Sequence, residues 1–108
     1  MPATVMDDLS NAGNGYGRSV DMVSIFGSAQ IPIACVVASS GVTAGAAQLQ
    51  TGVAQTSGNI TWTNVGSPTN LVAGNSVKLT SPGAAAAFAR IVITTPVSGG
   101  VATGVITA

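Results

Sequence analysis

The chain holds no histidine and no glutamate, and only one cysteine, one tryptophan, one tyrosine and two phenylalanines in 108 residues. Without histidine there is no Ser-His-Asp triad, no Cys-His pair and no imidazole metal site. Without glutamate, an acid-base pair would have to come from Asp7, Asp8 and Asp21, all close to the start of the chain. A glycosidase needs two carboxyl groups opposed across a cleft at about 5–9.5 Å, and neighbouring aspartates on a loop do not supply them. The phosphate-loop pattern G-x-x-x-x-G-K-S/T is missing, and Gly13-Asn14-Gly15-Tyr16-Gly17 precedes no helix whose amides could hold a phosphate. These absences exclude the common catalytic classes. The expectation is a binding or building protein, not an enzyme, with no cofactor and no metal.

Charge is scarce as well. Charged residues make up 6% of the chain, against about 25% in an average soluble protein. Net charge is zero, and Met22–Val77 carries no charge at all. A nucleic-acid partner is therefore not expected, since it would require clustered Lys and Arg. Low charge leaves little to repel neighbouring copies, which suits a subunit packed in an assembly. The longest apolar run, Ile31–Ala38, is too short to span a bilayer as a helix, so no membrane partner is expected. The start of the chain shows neither the basic region nor the apolar stretch of a signal peptide. Cys35 lies in that apolar run and reads as a small buried hydrophobe.

What is present is strand chemistry punctuated by turns. Residues 1–17 are rich in Gly and Asn without periodicity and read as an N-terminal arm, with the Asp7-Asp8 pair solvated and Tyr16 a candidate anchor on a neighbour. Residues 18–108 read as one domain. Arg18–Phe26 has strand composition. Gln30–Ala38 reads as a strand buried on both faces, entered through Pro32 at an edge or bulge.

Val42–Thr51 alternates, with Ala47, Leu49 and Thr51 on one face and Ala46, Gln48 and Gln50 on the other. Gly52–Asn59 reads as a polar loop and Ile60–Val65 as a β-branched strand. Gly66–Asn70 has turn chemistry, and Lys78 falls on the exposed side of a strand containing Val77 and Leu79. Ala84–Ala87 is the one stretch with helical composition. Phe88–Thr95 and Gly100–Ala108 read as a hairpin closed by Pro96–Gly100.

Short strands at this spacing, without an amphipathic helix, predict an all-β fold. The expected form is an antiparallel β-sandwich, jelly-roll-like, with an extended N-terminal arm. Trp62 is the largest apolar side chain and is expected to anchor the core, covering about 150–250 Å².

Several pieces taken together carry a family likeness. They are Ala46-Ala47-Gln48-Leu49-Gln50, Asn59-Ile60-Thr61-Trp62-Thr63-Asn64-Val65-Gly66-Ser67, Ser76-Val77-Lys78-Leu79, Phe88–Thr95 and Ser98-Gly99-Gly100-Val101. In that order the chain resembles small β-sandwich virion proteins of tailed bacteriophages over about its C-terminal two thirds. Thr56-Ser57-Gly58-Asn59 stands where such proteins often carry an Asp-Gly loop.

The resemblance implies a head decoration (cement) protein or a related accessory part of the virion, assembled in the host cytoplasm. Its partners would be copies of itself and the major capsid protein. Candidate interface residues are Tyr16, Gln48, Gln50 and Arg90. Two other readings stay open: a receptor- or carbohydrate-binding fibre or adhesin domain, and a tail, neck or collar accessory protein.

Overall fold

The structure is a computed structural model that describes residues 4–8, 20–56 and 58–107. The chain order is β1 (Thr4–Asp8), β2 (Val20–Asp21), α1 (Met22–Phe26), β3 (Ile33–Ala38), β4 (Ala44–Ala54), β5 (Ile60–Asn70), β6 (Ser76–Lys78), β7 (Phe88–Ser98) and β8 (Ala102–Thr107). The strands form two antiparallel four-stranded sheets, ordered β1-β8-β3-β6 and β2-β7-β4-β5. The expected all-β, antiparallel class is what the strands show.

Inner faces of the two sheets supply the core. Ala34, Val36, Ala102 and Ile106 come from the first sheet, and Ala47, Leu49, Ile91 and Ile93 from the second. Met22, Leu49 and Ile93 are the largest side chains among those sealed from solvent. The alternation expected for β4 holds in part: Ala47 and Leu49 point into the core, but Ala46 and Gln48 on the opposite face are buried as well. Leu79 is buried and Lys78 exposed, as the pattern of β6 predicts.

Several local expectations change. Residues 4–8, read as part of an arm, form β1 in register with β8, from Thr4 opposite Thr107 to Asp8 opposite Thr103. The rest of that arm, residues 1–3 and 9–17 with Tyr16, lies outside the described residues. Arg18–Phe26 is not one strand: its described part is the short β2 followed by α1. Asp21 caps that helix, accepting from the backbone N–H of Val23 and Ser24 at 3.1 and 3.2 Å. Gly27 ends it with φ +88°, donating its N–H to the Val23 carbonyl.

Ala84–Ala87 is not helical, because Ala86 pairs backbone to backbone with Gln30. β3 is buried on one face only: Ala34, Val36 and Ala38 point inward, while Ile33 and Val37 are 45% and 44% exposed. Cys35 stands between those two on the outer face, half-buried, and is not a core residue.

The largest correction concerns Pro96–Gly100. β7 and β8 lie in different sheets, so their connection arches across the fold and does not close a hairpin. Pro96 lies within β7, which runs to Ser98 opposite Ala44. At this end of the molecule Ser39 ties three connections together. Its N–H donates to Val101, its Oγ accepts from the Val101 N–H, and its carbonyl accepts from Val42 and Gly74.

Gly66–Asn70 also departs from expectation, since β5 continues through it. Between the pairs Leu49–Val65 and Ala47–Thr69, β4 has one residue, Gln48, and β5 has three, Gly66, Ser67 and Pro68. The surplus is taken up as a bulge, with Gly66 at φ +67°, where a side chain is disfavoured.

Candidate interaction face

The hairpin β4–β5 decides which residues meet on the outer face of the second sheet. Its register pairs Gln50 with Asn64 and Gly52 with Trp62. On the other side, β7 places Arg90 opposite Gln50 and Phe88 opposite Gly52. Because Leu49, Val65 and Ile91 share the inner face, the alternate residues Gln50, Asn64, Trp62 and Arg90 share the outer one.

They interact closely there. Arg90 Nε donates to Gln50 Oε1 at 2.8 Å. Gln50 Nε2 in turn donates to Asn64 Oδ1 at 2.7 Å. The Arg90 guanidinium carbon stands 4.0 Å from the centre of the Trp62 ring, a cation–π contact. Gly52 makes room for the indole: a Cβ on it would come within 3.1 Å of two ring carbons and 2.6 Å of Ile60 Cγ2. The result is a shelf of one indole, one guanidinium and two amides across three strands.

Trp62 is therefore not the core anchor expected from its size. It is half-buried, outside the core cluster, and lies over a glycine on the outer face. Gln50, Arg90 and Trp62 come together, although they were singled out separately in the sequence. Gln48 does not join them. It is only 7% exposed, and its amide donates to the Gly66 carbonyl at 2.6 Å inside the bulge. Asn64 and Gly52 were missed as members of the shelf. Asn64 had one signal, a polar residue two places from Trp62 and so on the same face of its strand.

A second feature lies on the inner side of the same strand. Thr51, Thr63 and Val65 face the Thr80–Ala86 connection across a cleft of about 470 Å³. Thr51, Thr63, Thr80 and Ser81 are among the residues that line it, and none of its lining residues is charged. Neither place offers a nucleophile beside a base. Amides, hydroxyls and a guanidinium can bind by stacking and hydrogen bonding. Among the described residues, no helix is long and apolar enough to cross a membrane.

Comparison with known protein families, with characterised proteins and with solved structures finds no match to this chain.

Proposed function

We propose that this protein is a structural component of a tailed-bacteriophage particle, a head-decoration (cement) protein that binds copies of itself and the capsid lattice. It has no catalytic role in this reading and resides in the virion. The observation that carries the proposal is the strand order, β1-β8-β3-β6 beside β2-β7-β4-β5. We read it as the double Greek key of a jelly-roll sandwich, an architecture used by virion proteins and by lectin domains.

Two further features support the same reading. The outer face of the first sheet presents Ile33 and Val37 on β3, both more than two-fifths exposed, beside Val105 on β8. Chain-wide scarcity of charge leaves such faces free to pack against neighbours. The test is co-sedimentation of the purified protein with expanded phage heads, followed by imaging of the decorated lattice. Density on the head surface is expected. Failure to bind heads, with no density for the protein in the particle, overturns the proposal.

One observation favours a second reading, that of a carbohydrate- or receptor-binding module. Trp62 lies on an outer face beside the amides of Gln50 and Asn64, the pairing of apolar ring and polar edge that sugars engage. A Trp62→Ala protein that folds normally and loses glycan binding would support it over the first.

A further inference from the structure

We infer that the free edge of β5, over Ile60–Val65, is where a second copy of this chain pairs, antiparallel about a two-fold axis, joining the two β2-β7-β4-β5 sheets into one. Among the described residues, β5 is an outermost strand of eleven residues that hydrogen-bonds along β4 on one side only. A strand left this way presents a row of unpaired N–H and C=O groups, a template for another strand.

The other outer strands are poor templates. β6 has three residues and carries Lys78, β2 has two, and β1 has five and ends in Asp7 and Asp8. The bulge at Gly66–Pro68 blunts the far half of β5. Ile60–Val65 has no proline, no glycine and no charge.

The chemistry of this edge selects its partner. Neither β4 nor β5 contains a charged residue, and the charge that reaches this edge is that of Arg90, rooted on β7, whose guanidinium lies over the Trp62 ring and donates to Gln50. That charge is engaged by the indole and by Gln50 on the outer face, and the row of backbone groups along the edge is itself uncharged, which favours a neutral strand. A neutral, β-branched edge of the same kind fits, and this chain supplies one. Two copies also approach without repulsion, since the net charge is zero.

Side-chain alternation restricts the register. For the two outer faces to be continuous, outward residues must oppose outward residues. Parity allows two registers near the middle of Ile60–Val65, about Trp62 and about Thr63. The one about Thr63 keeps the two indoles from meeting head-on: it places Thr63 opposite its own copy and Trp62 opposite Asn64 of the second copy. The two Trp62–Arg90 shelves then lie side by side on one face. This pairing does not depend on the particle role proposed above.

Sedimentation velocity of the full chain over micromolar to millimolar concentrations tests it. The wild type is expected to dimerise. Thr61→Lys/Thr63→Lys, at two exposed positions, brings four like charges to the axis and should weaken dimerisation at least about a hundredfold. A charge-matched Ser76→Lys/Val101→Lys protein, altered on β6 and on the connection into β8, should dimerise as the wild type does.

Circular dichroism checks that each variant folds. As a second measurement, Thr63→Cys in a Cys35→Ser background should oxidise to a disulfide-linked dimer. A wild type that stays monomeric throughout overturns the inference. So does a dimer unaffected by the lysine pair, or a folded Thr63→Cys protein that does not cross-link. Binding to phage heads is read separately and bears only on the function.

Discussion

Gly41 and Gly99 meet backbone to backbone where two of the connections between the sheets cross. A Cβ on Gly41 would stand 2.6 Å from the Gly99 carbonyl oxygen, and one on Gly99 would collide with the Gly41 oxygen. Neither contact can be relieved by turning a side chain. Gly41→Ala should therefore destabilise the fold by about 1–3 kcal/mol, the usual cost of overpacking a fixed backbone. A urea titration monitored by circular dichroism measures it. An unchanged midpoint would mean that the two turns do not hold each other.

The contact between Arg90 and Trp62 should be measurable as a coupling energy. A double-mutant cycle with Arg90→Met and Trp62→Leu is expected to give about 0.5–1 kcal/mol, the range for partly exposed cation–π pairs. Arg90→Lys should recover only part of it. An ammonium keeps the charge but lacks the planar fork that stacks while donating to Gln50.

Burial predicts an inversion of what size suggests. Leu49 is sealed in the core, so Leu49→Ala should cost about 2–5 kcal/mol. Trp62→Ala removes more atoms, but from a half-buried place on an outer face, and should cost about 1–2 kcal/mol. Chemical denaturation of both variants gives the order directly. A larger loss at Trp62 would restore it as the core anchor.

Gly66 faces two obstacles to substitution, and they can be separated. Its φ of +67° disfavours any side chain, and a Cβ there would lie 2.6 Å from both Cβ and Oγ1 of Thr80. Gly66→Ala should destabilise by more than the about 1–2 kcal/mol expected from left-handed backbone alone. Adding Thr80→Gly should relieve the steric part: the double variant should lose less than the two single changes added together. Strict additivity would show that the contact with Thr80 does not matter.

Much of the fold was legible because period-two alternation is a local property. Ala47 and Leu49 in β4, and Val77 and Leu79 around β6, declare their inner face without help from the rest of the chain. Whether a turn folds a strand back beside its neighbour or carries it to the other sheet is not local. The same Gly-rich chemistry at Ser98–Gly100 serves both, and only the pairing of β7 with β4 and of β8 with β3 decides. Trp62 was misplaced for a similar reason. Its size argues for the core, but the hairpin register sets its face, and the opposing Gly52 leaves the space it fills. The helix Met22–Phe26 did leave local marks, a capping Asp21 and a closing Gly27, hidden within a strand-like composition. Of the candidate shelf, Gln50, Arg90 and Trp62 stood out by type, but their meeting on one face depends on two strand registers at once.

The strand order also governs how the chain can reach its folded state. Among the described strands, only β4 and β5 are neighbours both in sequence and in a sheet. Every other pairing closes a longer loop, up to Thr4 against Thr107. Such loops must be closed before their contacts give anything back. Folding should then begin at the β4–β5 hairpin and be slow for a chain of this size. The first sheet is completed late, because β8 lies between β1 and β3 and β1 joins the sheet through it.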